Sequence, residues 1–554
     1  MNKENGVGLL RWEIGELASK IGQLYYHYYL RTSESSYLVE AAVFYSAILD
    51  RGYFDDFGEA ASKDLEAKKL RFLARFAVVL VLLDSLVPSG MGSPTKTSSA
   101  GKQSRSHDIE HVASVLAESI AAYAAAYGEE DAGDVAEWTR VGSEIGAFVD
   151  ARKAIVVAEG ENVQHVSQAL RIQVPNPTEF SSLIADALIV SNPGRDAVKF
   201  SEMTLDSYRM VLSLEAVPLA PETAVSVSLA NPHKYVLYRP TVAQFLTFAA
   251  TALAESRPSE TLLVYFSGHG TSLPAPAELA IARNNNVAQA MDTEDPPTGA
   301  DGEEDGGGEE GEENGSGDKT LSPVLPTLPS MLEVFGQGGV ELAPAADTNE
   351  GEGSSWCDVV TPGDLAILGR RPLFCVVDTE GGASDFRVLA AAGAVWSMPS
   401  GLILAGEKAP PNWPASVGSP LTMFLTDPLA AFAIISEAEP MARDTYDMAL
   451  SMVGTILDTI GSVLAEACAA SPALAPLEFF ARDAFLHRYL TRAIMYCATL
   501  ATLKATEDSY AEYAPEILPA LPHTVWQTSQ VLESVLQLAS VLSVTLKFSN
   551  VAMS

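Results

Sequence analysis

A chain of 554 residues with 47% hydrophobic residues is long enough to bury a sizeable core, and its length suggests roughly two to four domains. Its net charge of −36 opposes wrapping a polyanion, so direct contact with DNA or RNA is not expected. Four cysteines, Cys357, Cys375, Cys468 and Cys497, are too scattered for a disulfide framework or a zinc site, which fits a reducing compartment.

Met1 to Glu13 carries acids and no long apolar region, so no secretory signal is expected there. Leu17, Ile21, Leu24, Tyr25 and Tyr28 repeat at helical spacing, as do Leu38, Ala41, Ala42, Tyr45, Ile48 and Leu49, which predicts a helical hairpin. Its aromatic stripe reads as core packing in preference to a peptide-binding groove. Lys68 to Leu86, Asp108 to Tyr127 and Asp134 to Glu159 continue the period, so residues 9 to 160 read as an all-helical layer. Phe76 to Leu83 is the longest apolar run and is far short of the ~20 residues that span a bilayer; a buried helix is expected and no membrane contact. Pro88 to Ser106 is rich in Ser, Gly and Thr and reads as a loop, with Lys96, Lys102 and Arg105 too dispersed for a clear targeting signal.

From Pro175 the pattern changes to short apolar runs separated by helical segments, the sign of a parallel, helix-covered sheet. The runs are Ala187 to Val190, Tyr235 to Tyr238, Leu262 to Phe266, Leu373 to Val377 and Ala394 to Trp396. Leu373 to Val377, bounded by Pro372 and by Gly381 and Gly382, reads as the central strand. Ligand sites in such sheets gather beyond the carboxyl ends of the strands, which singles out Asp378 to Gly382 and the end Phe266-Ser267-Gly268-His269-Gly270. The helix starts after Val190 and Tyr238 could each hold a phosphate, but neither G-x-G-x-x-G nor G-x-x-x-x-G-K-[ST] is present, so ordinary turns are expected.

Residues 290 to 353 interrupt this pattern with a run of Glu, Asp and Gly that cannot bury enough apolar area to offset its ordering entropy. A disordered insert is expected, and it lacks the residue order of a calcium loop. Asp444 to Leu464, Phe479 to Leu503 and Thr528 to Phe548 read as closing helices, and Pro428 as the start of another. Arg482, His487, Arg488 and Arg492 form one polar stripe, read as a solvated helix face.

The expected organisation is thus α/β: an N-terminal helical region (1–174, with a flexible loop at 88–106), an α/β core in two parts (175–289 and 354–430) split by the acidic insert (290–353), and a C-terminal helical region (431–554). The two strand ends are similar to caspase-like proteases, in which a strand ending in His-Gly supplies the general base and a later strand ending in Asp plus Cys supplies the thiolate. Here Thr379 and Glu380 stand where the Cys would be, and Cys375 lies inside the strand. No catalytic, cofactor-binding or metal-binding residue is therefore assigned.

A second resemblance covers nearly the whole chain. Tyr25 to Glu34 with Glu40-Ala41, Phe44-Tyr45 and Arg51 to Phe54, then Lys69 to Phe72, Asn231 to Pro240, Arg371 to Phe374 with Val376 to Asp378, and Ser419 to Pro428 resemble, in order, blocks of the suppressor of cancer cell invasion (SCAI) family. Colinear blocks are far more specific than one short motif. The family commonly continues the central strand with Asp-Ser-Asp or Asp-Ser-Asn, where this chain has Asp378-Thr379-Glu380. The resemblance implies a nuclear transcriptional corepressor that works by protein–protein interaction and is not an enzyme. Its implied partners are a myocardin-related coactivator, or chromatin and DNA-repair factors.

Overall fold

The computed structural model describes residues 9–32, 34–55, 62–86, 109–128, 131–151, 155–159, 162–166, 183–192, 204–215, 231–272, 338–341, 359–381, 383–390 and 396–549. Five helices come first: α1 (Arg11–Thr32), α2 (Ser35–Asp50), α3 (Lys63–Leu86), α4 (Ile109–Tyr127) and α5 (Ala132–Ala151). The strands are β1 (Ile155–Glu159), β2 (Asn162–Val166), β3 (Ile184–Asn192), β4 (His233–Tyr238), β5 (Thr261–Ser272), β6 (Gly338–Glu341), β7 (Val359–Val360), β8 (Leu373–Glu380), β9 (Ser400–Leu404), β10 (Met441–Ala442) and β11 (Glu516–Leu518). The remaining helices are α6 (Leu205–Ser213), α7 (Val242–Glu255), α8 (Pro362–Ala366), α9 (Pro420–Thr426), α10 (Pro428–Ile435), α11 (Arg443–Ala470), α12 (Ala475–Phe480), α13 (Ala484–Thr502), α14 (Tyr510–Tyr513) and α15 (Ser529–Val541).

The main sheet runs in the order β4-β3-β5-β8-β9-β11, parallel throughout except for β11, which is antiparallel to β9. The chain goes from β3 outward to β4, then returns past β3 to build β5, β8 and β9 on the other side. The switch point of this α/β sheet therefore lies between β3 and β5, and β8 is interior as expected. Alternate residues of each strand feed two cores. Ile189, Tyr265, Val376 and Ile403 join the large core built with most of the helices, whereas Val190, Phe266, Val377 and Leu404 face a smaller core with Phe245 of α7 and Leu365 of α8.

Three local readings change. The helical period traced to Glu159 ends at α5, and Ile155–Glu159 is a strand, antiparallel to β2 and parallel to β10. Ala394 to Trp396 is not the fifth parallel strand: Trp396 lies outside any strand, residues 391–395 lie outside the described ones, and the strand is β9. Within the insert expected to lack structure, residues 338–341 form β6, antiparallel to the end of β5 and to β7. The rest of 290–353, and all of 88–106, lie outside the described residues.

α3 is the expected buried helix, with every residue from Phe76 to Leu82 buried. α11 is long and apolar enough to cross a membrane by length and composition alone. Its buried stripe of Tyr446, Ala449, Val453, Ile456, Ile460 and Leu464 contrasts with exposed Asp447, Asp458 and Glu466, the pattern of a helix with one face on a core.

The polar stripe of α13 is not a solvated face. Of the four residues only Arg482, in the turn before α13, is exposed. Arg492 Nη1 donates to the carbonyl oxygens of Leu425 (2.8 Å) and Thr426 (2.5 Å), and Arg488 Nη2 donates to Ser213 O at 3.2 Å. Each arginine thus serves the last carbonyls of a neighbouring helix, α9 or α6, where backbone acceptors lack partners and a cation is favoured. Burial pushes the Arg488 guanidinium down to about 10, which leaves it charged at neutral pH.

Candidate functional site at the strand ends

β3, β5 and β8 end in one row, with Ser191 opposite Ser267 and Ser267 opposite Asp378. These positions continue the face of Ile189, Tyr265 and Val376, so the row points toward α6 and α9. Asp378 is 7% exposed, and both of its oxygens are occupied: Oδ1 accepts from Ser419 Oγ at 2.6 Å and Oδ2 from Thr422 Oγ1. Thr422 Oγ1 also lies 2.7 Å from the Tyr265 hydroxyl.

A second carboxylate braces the same segment. Asp206 of α6 accepts from the Ser419 backbone N–H at 3.0 Å and pairs with Arg209, whose Nη1 also donates to Val417 O. Gly418 is required in this turn, because it sits at φ +81° and an added Cβ would lie 2.3 Å from Asp206 Oδ1. Burial, then the neighbouring Asp206 charge, push the Asp378 carboxyl up to about 7. Asp206 is displaced in the same direction by burial. The pair is thus tuned by desolvation, which favours the neutral carboxyl.

The strand ends of the caspase comparison are neighbours in this sheet. β5 and β8 are adjacent and parallel, with Gly268 opposite Thr379 and His269 opposite Glu380. The residue types do not complete a nucleophile and base. Thr379 is buried and its hydroxyl donates to Gly381 O at 2.9 Å. Cys375 is buried inside β8, and burial pushes its thiol up to about 12, which leaves it protonated and inert. The Ser419 and Thr422 hydroxyls both give their protons to Asp378, an arrangement that fastens α9 to the end of β8. A strand-end pattern was legible in the sequence, but Ser419 and Thr422 were not picked out; their only signal was polarity inside an apolar run.

The two helix starts considered for a phosphate are served from within. Thr204 and Ser207 form a capping box at α6, and Thr241 and Gln244 form one at α7. Among the described residues, no group of three or more His, Cys, Asp or Glu is placed to hold a metal ion. A cleft of about 280 Å³ lies between α11 and α15, lined by Met448, Met452, Ile456, Ser534 and Gln537 among others.

A second polar junction ties α1 to the amino ends of β3 and β4. Arg31 donates to Asp186 (2.8 Å) and Glu255 (2.6 Å) and lies 4.0 Å from the centre of the Tyr235 ring. Tyr29 donates to Glu215 at 2.5 Å, and Lys234 reaches the same carboxylate at 3.7 Å with both charged side chains fully buried. Tyr29 and Arg31 come from the first block of the family resemblance, and Lys234 and Tyr235 from a later one. Asp378, Ser419 and Thr422 likewise join two blocks at the other end of the sheet. The blocks that stand apart in sequence are paired in space.

Comparison with known proteins agrees with that pattern. The family model described as Protein SCAI matches residues 2–88 and 103–506. Protein SCAI of Mus musculus is 30% identical over 98% of this chain and 80% of its own length, and Protein SCAI of Homo sapiens is 30% identical with the same coverage. A Protein SCAI homolog of Dictyostelium discoideum is 24% identical over 98% of this chain and 83% of its own length.

Proposed function

The chain belongs to the SCAI family, and from that premise we propose that it is a nuclear transcriptional corepressor of the SCAI type, acting by holding protein partners and not by turning over a substrate. The observation that carries the non-catalytic reading is the filled strand end. Asp378 is enclosed at the carboxyl end of β8, next to the β3–β5 switch point where a sheet of this order opens onto a ligand, and both of its oxygens are bonded to the hydroxyls of Ser419 and Thr422. Acyl transfer there would need a thiolate within about 3 Å of a base. The chain has Thr379 and Glu380 at the corresponding positions, and a carboxylate beside a forming oxyanion opposes its stabilisation. The partner implied by the family is a transcriptional coactivator of the myocardin-related type, or a chromatin or DNA-repair factor. The strongly negative net charge supports contact with proteins over contact with nucleic acid.

One observation favours a second reading, a caspase-like hydrolase or its inactive relative: His269 and Glu380 are register partners on adjacent parallel strands. An inactive relative is compatible with a scaffold role, because fold does not dictate function.

The test is a tagged copy at native level. Expected are nuclear residence, recovery of transcription regulators from nuclear extract, and higher transcription of their target genes when the protein is removed. A copy that stays wholly cytoplasmic under all growth conditions, or removal that leaves transcription unchanged, overturns the proposal.

A further inference from the structure

α1 is packed with its sides exchanged. Its inward face is Gly15, Ser19, Gly22, Tyr26 and Tyr29, and the two glycines admit close neighbours: an added Cβ would lie 2.9 Å from Tyr53 Cβ at Gly15 and 2.8 Å from the Tyr45 ring at Gly22. Its outward face carries Ile14, Leu17, Ile21, Leu24 and Tyr28, and Leu10 just before its first turn extends the same line; all six are between 36% and 59% exposed. Helices on a protein surface ordinarily place such residues on the core side. The reading of the hairpin's aromatic stripe as core holds for Tyr26, Tyr29 and Tyr45 but not for exposed Tyr28, and the aliphatic face of α2 is core where that of α1 is not.

We infer that this stripe is a coiled-coil seam that pairs in parallel with the same helix of a second copy of this chain. The six residues are separated by four, three, four, three and four positions, the 3.5-residue average that keeps a seam facing one partner helix. Ile14 and Ile21 fall at one kind of seam position, and Leu10, Leu17 and Leu24 at the other. β-Branched residues at the first kind with Leu at the second favour parallel pairs of helices. A second copy supplies that pattern in register, each residue meeting its counterpart across a two-fold axis.

The seam is also held ready. Tyr29 to Glu215, Arg31 to Asp186, and Lys68 to Glu16 fix α1 to the body of the protein, so little ordering remains to be done on association. Six large side chains, each roughly half exposed, supply on the order of 1,100 Å² over two copies, at the lower edge for a specific interface. An interface of that size belongs with weak, transient pairs, so a reversible dimer is expected. Each copy carries −36, so repulsion opposes pairing and added salt strengthens it by screening.

The experiment is sedimentation of the full chain from about 1 to 100 µM, at low salt and at roughly 0.5 M salt, the range over which screening acts. The native protein is expected to pass from the 58.8 kDa monomer toward twice that mass, more readily at high salt. A Leu17→Glu, Ile21→Glu, Leu24→Glu variant is expected to weaken the dimer at least 100-fold with an unchanged melting temperature. A Leu246→Glu, Phe248→Glu control, altering exposed residues of α7, is expected to dimerise as the native chain does. Mild oxidation of a Leu24→Cys chain in a Cys357→Ser background should give a disulfide-linked dimer, as a parallel seam requires. A native protein that stays monomeric throughout, a triple variant that still dimerises, or a Cys chain that dimerises without cross-linking overturns the inference. The outcome is independent of the corepressor reading.

Discussion

α13 and α1 depart from the usual amphipathic arrangement in opposite directions. α13 turns Arg488 and Arg492 inward, where they donate to the last carbonyls of α6 and α9. α1 turns Leu17, Ile21 and Leu24 outward and packs through glycines. Both stripes have helical period, and period alone does not say which side faces the core. In α13 the inward cations are tolerated because backbone acceptors await them. In α1 the apolar face is exposed because a face of small residues lets tyrosine rings approach more closely from the other side.

The largest expected effect breaks the α13 half of this comparison. Arg492→Ala removes two charge-assisted bonds to the end of α9 and one of the two cations, with Arg209, that act on buried Asp427, at a cost of about 3–5 kcal/mol in chemical denaturation. Arg482→Ala, on the exposed member of the stripe, should change stability by no more than about 0.5 kcal/mol. Equal effects at the two positions would return the stripe to a solvated face.

Next in size is the pH response of Asp378. Its folded pKa is raised to about 7, so its contribution to stability is full below the ordinary carboxylate range and is lost as pH rises through about 7. Asp378→Asn removes that dependence while keeping an acceptor for the α9 hydroxyls. Its stability relative to the native chain should therefore rise between about pH 4 and pH 8, by at most about 4 kcal/mol. Parallel stability curves for the two proteins across this range would show that the carboxyl is ordinary.

The α1 half is probed by smaller changes. Gly22→Ala gains helix propensity of about 1 kcal/mol but places a methyl against the Tyr45 ring, and overpacking of about 1–3 kcal/mol should make it net destabilising. Leu17→Ser and Ile21→Ser, read at concentrations where the chain is monomeric, should stay within about 0.5 kcal/mol of the native protein. A larger loss at the leucine than at the glycine would place the core on the other side of α1.

The parallel strands were legible because Leu188, Val264, Val376 and their neighbours form apolar runs buried on both faces of the sheet. β9 was not: the strand was read at Ala394 to Trp396, and Gly401 gives no apolar run for the true one. Its missing Cβ is what the packing demands, since a methyl there would lie 2.8 Å from Phe480 and 2.9 Å from Phe374. β1 and β2 were hidden because Ile155 to Glu159 prolongs a helical period, and its other partner, β10 at Met441–Ala442, is far away in sequence. At the candidate site the strand ends could be read, but the closure of Asp378 by Ser419 and Thr422 joins segments more than forty residues apart, and no local pattern encodes it. The family blocks carried that information indirectly, because they pair across these junctions.

The most direct measurement sets purified full-length protein against a broad peptide library, with and without calcium, beside a His269→Ala variant. Both proteins should leave every peptide intact and should bind the same nuclear partners, because the strand ends hold Thr379 and Glu380 in place of a thiol. Turnover by the native protein that disappears in the variant would contradict the scaffold reading.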